Sequence, residues 1–99
     1  MYASITEIKE ANRASGQYWF EQSAMRFFRS KIESKVIRGR YFITSEQFVA
    51  SNGQADPRRY TVRRADDDGS ITTIGPFNQY TMAEARAALE QAYREAVTA

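Results

Sequence analysis

The stretch that decides the fold is Arg58–Gly75, which reads RRYTVRRADDDGSITTIG. Its first seven residues alternate in character, so that Tyr60 and Val62 fall on one face of a predicted strand. Thr61 and Arg63 fall on the opposite face. The next segment, ADDDGS, consists of turn-forming residues, and ITTIG is rich in β-branched residues that favour strands. Because a turn signal joins two strand signals, the stretch predicts a β-hairpin.

A further strand is predicted upstream of this hairpin. Residues 35–48, KVIRGRYFITSEQF, are rich in strand-forming side chains, and on this interpretation Arg38 and Arg40 lie on the strand. The connection 51–57, SNGQADP, is dense in loop-forming residues and is predicted to be exposed.

A capping box predicts a helix on each side of the strands. The motif SITE, residues 4–7, predicts a helix over 5–14 that stops at Gly16. The motif TMAE, residues 81–84, predicts a longer helix over about 82–97.

The second of these helices carries an apolar stripe at helical spacing, which predicts that it packs on the sheet. The stripe consists of Met82, Ala85, Leu89, Ala92, Tyr93 and Ala96. On a more exposed side, Arg86, Glu90 and Arg94 are spaced four apart and are expected to pair.

Aromatic residues dominate the segment between the first helix and the strands. Tyr18–Phe20 is the densest aromatic run and predicts a short strand or an extended segment. Ser23 is placed to cap a second short helix. The chain has thirteen aromatic residues in all, and their large buried areas favour a strong core even in a small protein.

The segment AMRFFRSKI, residues 24–32, mixes cations with bulky apolar side chains. The spacing of Met25, Phe28 and Ile32 predicts one buried stripe of a short helix, with Phe27 facing away from its centre. The alternative is a strand with Met25 and Phe27 on the same face. The helix is the favoured interpretation.

The order of the predicted elements fixes the fold class. A short N-terminal helix, a short element, three or more strands and a longer C-terminal helix predict a single α+β domain over residues 1–99. Strands gathered in the middle of the chain favour a central antiparallel sheet over alternating βαβ units.

Composition argues against several classes of function. The chain has no cysteine and no histidine, so it lacks a thiol nucleophile, a zinc–thiolate site and the commonest general base. Its serines lie in no nucleophile motif, and we expect no enzyme. The aspartates of ADDDGS lack the alternating spacing of a calcium loop, and a plain turn is preferred to a metal site. No cofactor and no metal is expected.

The overall composition also bears on the compartment. A hydrophobic content of 42% and a charged content of 26% are those of an ordinary soluble domain. The opening MYASITEIKE does not have the pattern of a secretory signal, and no apolar stretch approaches the roughly 18 residues that span a bilayer. A cytoplasmic protein without membrane contact is expected, and its oligomeric state is left open.

The net charge of +2 conceals a strong segregation. Residues 22–64 hold ten of the fourteen cations but three of the twelve acids, a net charge of +7, and the remainder carries −5. Such a distribution can steer an acidic partner, and it is equally compatible with one solvated basic face. Arginines beside aromatic residues are also suited to single-stranded nucleic acid. The candidate residues for binding a partner or nucleic acid are Arg26, Phe27, Arg29, Lys31, Arg38, Arg40, Arg58, Arg59, Arg63 and Arg64.

The segments YWFEQSAMRFFRSKI, RYFITSEQF, RRYTVR and DGSITTIGPFNQY together resemble a family of small uncharacterised proteins of phages, prophages and plasmids. The resemblance covers Tyr18–Tyr80. It implies a mobile-element context in a bacterial host, and no catalytic or binding residue comes with it.

Small non-enzymatic proteins of mobile elements include inhibitors of host defence, such as anti-CRISPR and anti-restriction proteins. The resemblance therefore implies a protein that binds a host defence ribonucleoprotein or nuclease complex by non-catalytic contact, with anti-CRISPR activity as the specific expectation. The positive central segment argues against mimicry of DNA. The alternatives are a stand-alone nucleic-acid-binding protein with an arginine-rich face, and a structural module that pairs through its terminal helix.

Overall fold

The computed structural model describes residues 1–98, with the side chains of all of them except Phe27, Pro76 and Phe77. The α+β fold with a central antiparallel sheet is confirmed. The sheet has four strands in the order β1-β2-β3-β4, and all neighbouring strands are antiparallel. In chain order the elements are α1 (Ile5–Ala14), α2 (Gln22–Phe27), β1 (Lys31–Ile32), β2 (Tyr41–Glu46), β3 (Arg59–Ala65), β4 (Ile71–Gln79) and α3 (Met82–Thr98).

The predicted hairpin is formed by β3 and β4. Its turn is closed by the backbone amide of Gly69, which donates to the Asp66 carbonyl at 2.9 Å, and Gly69 adopts a φ of +87°. The Asp66 carboxylate accepts hydrogen bonds from Arg64 Nε at 2.7 Å, from the Ser70 hydroxyl and from the Thr72 hydroxyl. One carboxylate therefore ties both strands to the turn between them.

The two faces of the sheet are covered by different helices. Helix α3 covers one face, where Ile43 and Val62 pack against Leu89. Helix α1 and residues Tyr18–Phe20, which we call the aromatic segment, cover part of the other face. There Phe42 packs with Ile8 and Trp19. The predicted alternation of β3 is confirmed, because Val62 belongs to the first cluster and Arg63 lies on the opposite face.

The first helix has the predicted bounds. Ser4 Oγ accepts from the Glu7 amide at 3.2 Å at its start. At its end, Gly16 (φ +80°) and Gln17 donate backbone hydrogen bonds to the carbonyls of Arg13 and Asn12. This paired arrangement around a left-handed glycine is a Schellman motif.

Asn12, on the last turn of α1, joins three segments that are distant in sequence. Its side chain is fully buried, its Nδ2 donates to the Gly69 carbonyl at 2.9 Å, and its Oδ1 accepts from the Trp19 amide at 2.7 Å. Helix and turn approach so closely that a Cβ on Gly69 would lie 2.5 Å from the Ala11 carbonyl oxygen. The amide of Asn12 thus holds the hairpin turn and the aromatic segment against α1.

The last helix begins at the predicted capping box, where the Glu84 amide donates to Thr81 Oγ1 at 3.1 Å. Its apolar stripe packs on the sheet, although Ala96, at the end of that stripe, is exposed. The expected pairing within the helix is wrong for Glu90. This carboxylate instead accepts from Arg38, across the sheet edge, at 3.0 Å.

The prediction for residues 24–32 is wrong in its second half. Helix α2 ends at Phe27, and its N-cap is Glu21 rather than Ser23. Arg29 turns the chain with a φ of +50°, so that Ile32 pairs with Thr44 in the sheet instead of extending a helical stripe. Since Phe28 lies just beyond the helix, it is 48% exposed rather than buried.

Two further expectations are corrected by local backbone geometry. Tyr18–Phe20 is neither a strand nor an extended segment, because Tyr18 has a φ of +52° and the following residues form a turn. Arg38 and Arg40 lie in a turn that precedes β2, not on a strand. In that turn Arg38 and Gly39 both have positive φ values, and the Tyr41 amide donates to the Ile37 carbonyl at 2.9 Å.

Within the described residues, no helix combines the length and the apolar character that crossing a bilayer requires.

Replacing Asn12 with alanine should lower the free energy of unfolding by about 1–3 kcal/mol, because the buried Gly69 carbonyl and the Trp19 amide would both lose their partner. Urea denaturation followed by tryptophan fluorescence measures the change. The matched control is Asn52→Ala in the exposed loop, which should change stability by less than about 0.5 kcal/mol. Equal effects of the two substitutions would contradict the role given to Asn12.

The stability of the fold should fall as the pH is lowered below about 4. Partial burial raises the pKa of Asp66, but the hydrogen bonds from Thr72, Arg64 and Ser70 together bring it below its ordinary value of 3.8. A lowered folded-state pKa stabilises the fold above the unfolded pKa, and this contribution is lost as the pH falls through the folded value. The difference in urea midpoint between pH 7 and pH 3 should therefore be smaller in Asp66→Asn than in the wild type.

Candidate functional site

The arginines named by the sequence fall at two opposite ends of the sheet. At one end, where Tyr41 pairs with Arg64, each arginine is bound to an acid. The three ion pairs are Arg38–Glu90 at 3.0 Å, Arg40–Asp67 at 3.2 Å and Arg64–Asp66 at 2.7 Å. The hydrogen bond from Arg38 lowers the pKa of Glu90. We call this the neutralised end.

At the other end, where Glu46 pairs with Arg59, a set of cations has no acidic partner. We call this the basic end, and its cations are Arg26, Arg29, Lys31, Arg58 and Arg59. None of these side chains forms an ion pair with a described residue. Five cations without an ion pair to a described residue are therefore gathered at this end.

Arg58 holds the basic end together. Its Nε donates to Ser45 Oγ at 2.7 Å, and its Nη2 donates to the carbonyls of Ser45 and Arg29. Lys31 pairs with the same Ser45 across β1 and β2. Arg58 is half-buried, so it organises the backbone while adding its charge to the surface.

A groove opens at the basic end, on the face of the sheet that α1 leaves uncovered. It has a volume of about 530 Å³, and its lining includes Phe28 and Phe48. A smaller cavity of about 230 Å³ adjoins it, shares both phenylalanines and adds Arg26 and Arg29. The segments that carry the two phenylalanines are joined by the Gln47 amide, which donates to the Phe28 carbonyl at 2.8 Å.

The floor of the groove is an ion pair between Arg63 and Glu46. Their side chains are only 15% and 17% exposed. Arg63 donates from Nε to Thr44 Oγ1 at 3.0 Å and also to Thr73 Oγ1 and Glu46 Oε1, and its guanidinium lies 5.4 Å from the centre of the Trp19 ring. Arg63 is therefore a structural part of the floor, and its charge is neutralised.

Arg59, which lines the groove, also contacts an aromatic ring. The Arg59 guanidinium lies 4.4 Å from the centre of the Tyr80 ring, and Tyr80 is itself exposed. Asp56, which has no ion pair with a described residue, also lines the groove. Arg59 thus remains on the surface with its charge unpaired.

A larger cavity of about 790 Å³ lies at the neutralised end, between α3 and the turn before β2. Tyr41, Tyr93 and Val97 line it together with the paired arginines. Because those arginines already bind acids, this cavity offers less attraction for an anionic partner than the groove does.

The structure thus separates the candidate residues that the sequence had grouped. Five of them converge on the basic end, Arg63 lies beneath it, and Arg38, Arg40 and Arg64 lie at the neutralised end. The side chain of Phe27 lies outside the part of the chain that the structure describes. Sequence reasoning missed Phe28, which it placed in the core, and also Phe48 and Tyr80. The position of Phe48 just before the exposed loop 51–57 was the available signal.

Residues 4–90 of the chain match a family of unknown function, DUF7447. The chain belongs to this family. Every residue that lines the groove lies within the matched range. No curated protein and no solved structure matches the chain. Among the described residues, no group of three His, Cys, Asp or Glu side chains is placed to hold a metal ion.

Replacing Arg63 with methionine should lower the free energy of unfolding by about 3 kcal/mol, because Glu46 would be left as a buried charge without its cation. Replacing Glu46 with leucine in the same chain should recover much of that loss, since no uncompensated charge then remains. Urea denaturation of the wild type, Arg63→Met, Glu46→Leu and the double variant measures both effects. Additive losses in the double variant would contradict the coupling.

Proposed function

We propose that this protein acts without catalysis, by docking its basic end on a polyanionic surface of a host defence ribonucleoprotein or nuclease complex and so inhibiting it. The specific form of the proposal is anti-CRISPR activity. The observation that supports it best is the contrast between the two ends of the sheet. Cations at one end are bound to acids, whereas five cations at the other end are not.

Electrostatics explains why the basic end is the better candidate for docking. A cation that already binds an acid contributes little further attraction, whereas unpaired cations on one surface steer an anionic partner and raise its association rate. Nucleic acid held by a defence complex is such a partner. The same sign of charge argues against an inhibitor that imitates DNA, which would require a negative surface.

The choice of a defence complex rests on the resemblance of Tyr18–Tyr80 to proteins of mobile elements. The matched family brings no function of its own, since it is described as one of unknown function. A stand-alone nucleic-acid-binding protein is the second candidate, and the exposed Phe28 and Phe48 beside the cations favour it. The two candidates differ in whether a defence complex is bound and inhibited.

The proposal is tested by target cleavage with purified CRISPR effector complexes of several types in the presence of the full chain. The wild type should inhibit at least one of them. The triple variant Arg26→Gln, Arg29→Gln, Arg59→Gln should lose inhibition by tenfold or more, because three unpaired charges leave the docking surface.

The matched control is the triple variant Arg13→Gln, Arg86→Gln, Arg94→Gln, which removes the same charge from exposed helix positions away from the groove. This control should inhibit as the wild type does. Equal losses in the two triple variants would show that net charge alone matters and would contradict docking through the basic end. Absence of binding and inhibition with every effector type would overturn the anti-CRISPR proposal.

A further inference from the structure

We infer that the groove at the basic end is a stacking site for the bases of single-stranded nucleic acid. In this arrangement Phe28 and Phe48 provide the stacking faces, and Arg26, Arg29 and Arg59 contact the phosphates. The inference rests on the proposed function, because it names the chemistry by which the same end recognises its polyanionic partner.

The first argument is the exposure of the two rings. Among the phenylalanines whose side chains the structure describes, Phe20 and Phe42 pack in the aromatic core, whereas Phe28 and Phe48 are 48% and 60% exposed. Large apolar side chains that lie together on a surface mark an interaction site. A partner that covers these two rings gains the apolar burial that folding left unused.

The second argument is the way cations flank the rings. Phe28 and Phe48 line both cavities, which therefore adjoin at these two residues. Arg26 and Arg29 lie along the smaller cavity, and Arg59 lies along the larger. An aromatic surface with cations on either side matches the alternation of base and phosphate along a single strand.

The third argument concerns size and polarity. A volume of about 530 Å³ lies within the range of about 300–1,000 Å³ that small-molecule sites occupy, so one or two nucleotides fit. The remaining lining includes the polar residues Thr73 and Asn78, which can hydrogen-bond to base edges without selecting one base. Stacking with little sequence preference follows from such a lining.

These features favour a single strand over a duplex. Bases inside a duplex are already stacked on each other, so exposed phenyl rings would gain nothing from it. The helix nearest the groove, α2, has only six residues, which is short for an element that reads a major groove. If a duplex were bound, the cations would contact its phosphates, but the phenyl rings would remain exposed to water.

The test uses the full chain and fluorescence anisotropy with three labelled probes: a single-stranded oligo(dT) of about twelve nucleotides, an abasic oligomer of the same length, and a duplex. Oligo(dT) should bind, with an affinity that falls steeply with salt. The abasic oligomer should bind about 5- to 150-fold more weakly, because it keeps the phosphates and lacks the bases that stack.

Replacing Phe48 with leucine should weaken oligo(dT) binding by about 5- to 150-fold and leave binding of the abasic oligomer nearly unchanged. Phe48→Trp should restore it. The matched control is Tyr18→Leu, an exposed aromatic that lines a different cavity beside α1, and it should bind as the wild type does. Phe28→Leu, checked for folding by circular dichroism, should reproduce the effect of Phe48→Leu.

Salt dependence separates the two kinds of contact. Arg29→Gln should reduce the slope of log K against log salt by about 0.7, the value for one phosphate contact on a single strand. Phe48→Leu should lower the affinity with the slope unchanged. If Phe48→Leu weakens both single-stranded probes equally, or if the duplex binds as well as oligo(dT), the stacking site is overturned.

Failure of this inference can be distinguished from failure of the proposed function. If no oligonucleotide binds but a defence complex is still inhibited through Arg26, Arg29 and Arg59, the partner is an acidic protein surface and the stacking site is wrong. If oligo(dT) binds as described and no defence complex is inhibited, the stacking site stands and the inhibitor role is wrong.

Discussion

The buried amide of Asn12 is the interaction on which the remaining arrangement depends. It connects α1 to the hairpin turn through Gly69 and to the aromatic segment through Trp19. With its backbone fixed in this way, Trp19 lies against Phe42 on one side and against the guanidinium of Arg63 on the other. A buried amide that satisfies two backbone groups is favourable only when both partners are present, so it specifies one arrangement of three segments.

The groove is a consequence of that arrangement. Since α1 and Trp19 cover only the part of the sheet near Phe42, the far part of the same face stays open. Apolar side chains at these positions would expose a large apolar surface to water. Arg63 and Glu46 instead give a polar floor, in which Arg63 donates to Glu46 and to the hydroxyls of Thr44 and Thr73. The floor is almost neutral because its two charges are paired, and Arg59, which also lines the groove, has no ion pair with a described residue.

Local signals in the sequence predicted those elements whose structure depends on residues adjacent in sequence. The alternation in Arg59–Ala65 and the capping box at Thr81 place β3 and the start of α3 correctly, because backbone hydrogen bonding there follows from adjacent side chains. The break at Arg29 has no such signal. It is set by the pairing of Ile32 with Thr44 and by the hydrogen bond from Arg58 to the Arg29 carbonyl.

The candidate site was predictable only in part, because it depends on contacts between residues that are distant in sequence. Composition identified the excess of arginine, but whether an arginine is neutralised depends on which acid lies opposite it in the folded chain. Arg38 meets Glu90 from 52 residues away, and no local pattern indicates that pair. The placement of Phe28 likewise involves a distant residue, since its carbonyl accepts from the Gln47 amide, and no local pattern indicates that hydrogen bond.

The close contact between α1 and the hairpin turn also has a consequence for the order of folding. Asn12 and Gly69 are separated by 57 residues, and the thin apolar stripe of a ten-residue helix gives it little stability in isolation. During synthesis, the N-terminal helix leaves the ribosome long before its docking partner exists. The hairpin is a local structure that closes quickly, so α1, which is made before the hairpin, reaches its final place only after the hairpin has formed.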